Sequence, residues 1–179
     1  MSAGHTLITI FAMMLLTTIL LNFYRLLATN GDIVNSGQDG ILMSTLATSY
    51  MEVASGLAFD SVTDTSDIAI GIPSLMTLAS KLGTERAAED SLYDYDDFDD
   101  FNGPGPSYSG STIEATANGT TRKYKTTFRV YYVNPGNIET ISATQTFVKR
   151  LDITMWRTFP PGKTDTLKVS TVSGYFHFD

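Results

Sequence analysis

The densest chemistry-bearing stretch of the chain is "DYDDFDDFNG", which places Asp94, Asp96, Asp97, Asp99, Asp100 and Asn102 within nine residues. Hard oxygen donors at that density suit Ca²⁺, which takes about six to eight of them, and repulsion among the carboxylates opposes an ordered loop without a cation. The spacing differs from the helix-loop-helix calcium motif, which sets acids at alternate positions before a glycine and a glutamate further on. Two readings stand side by side: a Ca²⁺ loop built on these six side chains, and a solvated acidic turn with Tyr93, Tyr95, Phe98 and Phe101 tucked inward.

Asn118 sits in "NGT", an Asn-X-Thr pattern that accepts sugar where the glycosylation machinery exists and otherwise reads as a turn ahead of a strand. Catalysis has little to stand on. The histidines are His5, at the start of an apolar run, and His177, between Phe176 and Phe178, and both read as structural. "GPGPSYSG" lacks the lysine of a phosphate loop and the strand-turn-helix setting of a nucleophile elbow. The absence of cysteine excludes disulfides, thiolate metal sites and thiol nucleophiles, so stability rests on packing. No enzyme is expected, and Ca²⁺ is the one cofactor the residues suggest.

The formal charge of −7 is unevenly spread, with 15 acidic against three basic residues up to position 121 and four against nine beyond it. Nucleic acid is not an expected partner of such a chain. Acidic and basic faces could instead attract one another between copies, with the acidic loop meeting strand residues such as Lys123, Lys125 and Arg129 of a neighbour.

The elements that position these residues start with "SAGHTLITIFAMMLLTTILLNFYRLL". Thr6 to Tyr24 are 19 residues without charge. As a helix they rise about 28 Å, the hydrocarbon thickness of a bilayer. No basic residue precedes the run and no small-residue cleavage site follows it, so it reads as a retained segment beginning at Met1 rather than a secretory signal. Leu42, Leu46, Tyr50, Val53 and Leu57 then recur at helical steps. The reading is an apolar helix over residues 1–28 and an amphipathic continuation over 29–58. Its weak point at 30–40 is made by Gly31, Gly37 and Gly40, each costing about 1 kcal/mol relative to Ala, and an unwound stretch is expected between Asn30 and Gly40.

Residues 59–121 read as a loop region with a short helix near Ser74–Leu82. In residues 122–179, "RKYKTTFRVYYV" alternates Tyr124, Thr126, Phe128, Val130 and Tyr132 against charged or polar neighbours; Leu151, Ile153 and Met155 do the same. With a turn at "NPGN" and a phase change before Tyr175 that suggests a bulge, three strands form an antiparallel meander. The fold class is α+β: a long N-terminal helix packed against a C-terminal antiparallel sheet, with a long loop region between. Such a layout serves a single-pass membrane protein, or a subunit whose apolar helix packs against its own copies in a filament.

"GHTLITIFAMMLLTTILLN", "AFDSVTD", the acidic run and "FVKRLDITMW…STVSGYFHF" resemble, in that order, type IV pilins and the pseudopilins of type II secretion systems. The resemblance implies a helical homopolymer packed through Leu7, Ile8, Ile10, Phe11, Met14, Leu15, Ile19, Leu20 and Phe23. It also implies an inner-membrane anchor before assembly, a dedicated assembly machinery as partner, and an extracellular filament at the cell surface. A periplasmic pseudopilin and a membrane-anchored adhesion domain that never polymerises are the alternatives. One departure concerns assembly: the family carries a glutamate at the fifth mature position, where this chain has Thr9 counted from His5, or His5 counted from Met1.

Overall fold

Helix α1 spans Ala3–Gly56. The computed structural model describes residues 3–65, 71–84, 92–102, 112–117, 120–160 and 166–176; Asn118, His177 and the "GPGPSYSG" passage lie outside them. The chain divides into two units, Met1–Gly40 and Ile41–Asp179.

In the first unit the helix exposes large apolar side chains from Leu7 to Val34. Even Leu20, the least exposed of its large apolar side chains, is 47% exposed. The hydroxyls of Thr6, Thr9, Thr17 and Thr18 donate back to the carbonyls of Ala3, His5, Met13 and Met14 at 2.8–2.9 Å. These polar side chains therefore need no water. The unwound stretch expected between Asn30 and Gly40 is α-helical instead. Three glycines cost about 3 kcal/mol together, whereas stopping and renucleating a helix costs about 4 kcal/mol for a nucleation constant near 10⁻³. Propagation wins.

In the second unit, Met43, Ala47, Tyr50 and Ala54 form the buried face of α1, with Leu42, Leu46, Val53 and Leu57 half-buried beside it. The contact face is thus turned by about one residue from the sequence expectation. Ala47 and Ala54 are buried in one cluster with Tyr124, Phe128 and Leu151, and Leu42 and Leu46 are half-buried against it. Tyr50 meets Phe128 edge-on at 5.1 Å between ring centroids.

After α1 comes the short helix α2, Ser61–Thr65, and 3-10 turns at Pro73–Leu75 and Phe98–Phe101. The helix expected near Ser74–Leu82 is reduced to the first of these turns, and Met76 and Leu82 are buried beside Phe59 and Tyr132 without it.

The sheet has five antiparallel strands: β1 Thr112–Ala117, β2 Thr120–Asn134, β3 Asn137–Ile141, β4 Val148–Phe159 and β5 Thr166–Gly174. Their order is β1-β2-β4-β5, with β3 paired to the end of β2 across the Asn134–Asn137 turn. β1 extends the sheet into the passage read as loop, and β3 adds a short strand that the three-strand meander did not include. The register of β4 with β5 is regular to Gly174, so the phase change before Tyr175 is the end of the strand and not a bulge. Tyr124, Thr126, Phe128, Val130 and Tyr132 of β2 and Leu151, Ile153 and Met155 of β4 all point inward and are buried, as their alternation requires.

Candidate functional site: a buried lysine between carboxylates

The acidic run is built inward. Asp97 caps the Phe98–Phe101 turn: its Oδ1 accepts from the backbone N–H groups of Asp99 and Asp100 at 2.8 and 3.2 Å. Asp100 Oδ2 accepts in return from Asp96 N and Asp97 N at 2.9 and 3.2 Å. This reciprocal box satisfies donors that a turn leaves orphaned. Asn102 ties the turn to its surroundings, donating from Nδ2 to Leu82 O and accepting from Val130 N, each at 3.0 Å. Gly83, at φ +132°, lies so close to the Asn102 carbonyl that a Cβ would collide with it. Tyr95, Phe98 and Phe101 are buried as expected, with Phe101 edge-on to both Tyr95 and Phe128 at 5.2 and 5.4 Å. Tyr93 is 93% exposed and does not join them.

Asp99 faces Lys149, a side chain the sequence reading passed over. Lys149 Nζ donates to Phe59 O at 2.8 Å and Asp60 Oδ2 at 2.9 Å, and contacts Asp99 Oδ1. All three charged side chains are fully buried. The Phe59 and Tyr132 rings wall the ammonium at 4.7 and 5.4 Å. Asp60 is held from several sides: Thr77 donates from N to Oδ2 at 3.1 Å and from Oγ1 to Oδ1 at 2.9 Å, and the Tyr132 hydroxyl lies 3.2 Å from Oδ2. The same hydroxyl donates to Thr77 O at 2.8 Å.

The electrostatics separate the two carboxyls. Burial pushes Asp60 up, but the charge and hydrogen bond of Lys149 outweigh it and leave this carboxyl below its usual range. Burial dominates at Asp99, whose carboxyl stays above its usual range in spite of Lys149. The Tyr132 phenol is raised by burial and by Asp60 and Asp99, so it remains a neutral donor. Three distant segments meet here: the chain just after α1, the 3-10 turn and β4. A strand whose other inward residues are Leu151, Ile153 and Met155 brings a cation to the core.

Of the six proposed Ca²⁺ ligands, Asp94 is exposed, Asp96 and Asn102 are half-buried, and Asp97, Asp99 and Asp100 are buried with their bonds directed to backbone and Lys149. Among the described residues no group of three or more His, Cys, Asp or Glu is placed to hold a metal ion.

The outward face of the sheet carries a second network. Arg150 reaches Asp152 Oδ1 at 2.8 Å, Glu139 Oε2 at 2.6 Å and Ser170 Oγ at 3.1 Å, and the Tyr131 hydroxyl donates to Asp152 Oδ2 at 2.5 Å. Burial and the bond to Asp152 push the Tyr131 phenol up to about 12. Lys123 pairs with Glu114 of β1, and Arg129 lies over the Tyr131 ring at 5.7 Å.

Comparison with family models, with curated proteins and with solved structures finds no significant match for this chain.

Proposed function

We propose that this protein is a structural subunit of an extracellular type IV pilus-like filament, polymerising through the apolar half of α1. The observation that carries this reading is the run of large apolar side chains from Leu7 to Val34, exposed around the whole circumference of a helix long and apolar enough to cross a membrane. A surface of that kind needs a cover of lipid or of other helices. A filament subunit uses both in turn, the membrane before assembly and copies of itself afterwards. The back-bonded threonines suit either surrounding.

Leu7, Ile8, Ile10, Phe11, Met14, Leu15, Ile19, Leu20 and Phe23 are the packing residues in this reading, and Gly31, Gly37 and Gly40 lie just beyond them. Thr9, which with His5 is one of the two positions where type IV pilins would place a glutamate, spends its hydroxyl on the His5 carbonyl. Register between subunits must then come from other groups. Asp94 and Asp96 are the acids the loop keeps near its surface for a neighbour's Lys125 or Arg129. Charge pairs of this kind set register and approach more than affinity.

The same exposed helix also favours a simpler reading, a domain anchored in the membrane that never polymerises, and a short periplasmic pseudopilus is a third. Electron micrographs of sheared cell-surface material test them together with sedimentation of a chain lacking residues 1–28. Long fibres of this protein, and a soluble monomer after truncation, support the proposal. Fibres formed by the truncated chain, or the absence of fibres from cells making the full one, overturn it.

A further inference from the structure

We propose that Lys149 and Asp99 close an intramolecular isopeptide bond, with Asp60 relaying the protons. The lysine nitrogen contacts Asp99 Oδ1 and lies 2.9 Å from Asp60 Oδ2, and all three side chains are sealed from solvent. Groups held in contact react as if present at about 10⁵–10⁸ M when their alignment is right. Joining an amine to a carboxyl releases water, and a site without solvent removes the water that would drive the reverse reaction.

The bookkeeping closes without a cofactor. The Nζ–Cγ bond forms and one Cγ–O bond of Asp99 breaks. The ammonium gives up two of its three hydrogens as protons, which depart with that oxygen as one water molecule, and the nitrogen keeps the third. One positive and one negative charge vanish together. Asp60 accepts a proton from the nitrogen, hands it to the departing oxygen and ends as the carboxylate it was.

Each group is prepared for its part. Asp99 Oδ2 is buried with no hydrogen-bond partner, so one oxygen is free to depart. Burial holds the Asp99 carboxyl above its usual range, toward the neutral acid that an amine attacks. Asp60 stays below its usual range because Lys149 outweighs its burial, so it remains a carboxylate able to take a proton. Tyr132 and Thr77 fix its orientation. A chain with no cysteine has no disulfide to hold it, and this amide would close a loop between residues 50 apart that contains β1, β2 and β3.

The experiment is intact-mass measurement of the purified full-length protein, denatured after folding in detergent, with a tryptic map. The expected result is a mass lower by one water. The map should show one branched peptide joining Asp99 to Lys149, with no cleavage after Lys149. Lys149→Arg keeps a cation that is not a nucleophile and should show the full mass. Asp60→Asn should slow the loss at least tenfold in a refolding time course. A natural protein of full mass, cleavage after Lys149, a dehydration mapped to other residues, or the same loss in Lys149→Arg overturns the proposal. Because these readouts concern the folded subunit alone, they are independent of whether it polymerises.

Discussion

Replacing Lys149 with Met removes the cation shared by Asp60 and Asp99 while keeping a side chain of similar length. Both carboxyls are then left fully buried without an opposite charge. Breaking a buried pair in this way costs about 3–5 kcal/mol at neutral pH, a large part of the roughly 5–15 kcal/mol that holds a domain together. At about 3 °C per kcal/mol for a unit of this size, the midpoint should fall by about 9–15 °C. The dependence on pH is the sharper test. In the natural protein Asp60 sits below its usual range, so its contribution is fully present above its unfolded pKa and is lost as pH falls through the lower folded value. Asp99, held above its usual range by burial, works the other way, its share shrinking as pH rises through the window just above the usual carboxylate value. Without Lys149 both carboxyls follow the second pattern. The folded variant then binds more protons than its unfolded chain, and its stability falls by up to about 1.4 kcal/mol per pH unit per group between their unfolded and folded pKa values. Thermal unfolding of the full chain in detergent, followed by near-ultraviolet circular dichroism at about pH 4 and pH 7, should show a deficit that grows with pH. These signs are for protein of full mass, since the amide proposed above consumes the Lys149 cation and the Asp99 carboxyl together; the reference for the slope is the fraction in which it has not closed. A deficit equal at the two values, or below about 1 kcal/mol at neutral pH, refutes a buried ionic centre.

Gly83→Ala should cost about 1–3 kcal/mol in a urea titration, because its φ of +132° and the Asn102 carbonyl leave no room for a Cβ. Gly31→Ala, Gly37→Ala and Gly40→Ala should each stabilise the helix by about 1 kcal/mol, read as slower amide exchange over residues 30–40, since a Cβ there meets nothing within 4 Å. Ala47→Leu should destabilise by about 1–3 kcal/mol through overpacking against the sheet, whereas Ser44→Ala on the exposed side of the same helix should stay within about 0.5 kcal/mol.

Local pattern carried much of this structure. The apolar run and the helical steps that follow it dictate α1, and period-two alternation dictates which residues of β2 and β4 face the core, since side-chain direction along a helix or strand is set by backbone geometry alone. The same alternation places Lys149 two residues before Leu151 on the inward side, a signal present in the sequence and left unread because a lysine in a strand is ordinarily exposed. What alternation could not supply was its partners. Asp60 and Asp99 stand 89 and 50 residues away, and only the closing of the sheet over α1 brings them to one point. The acidic run shows the division most clearly. Its composition announces charge, but whether those carboxylates face solvent, a cation or a lysine depends on which distant side chain fills the space beside them. Tertiary packing decided that, because a buried charge is tolerated only where an opposite charge is delivered to it.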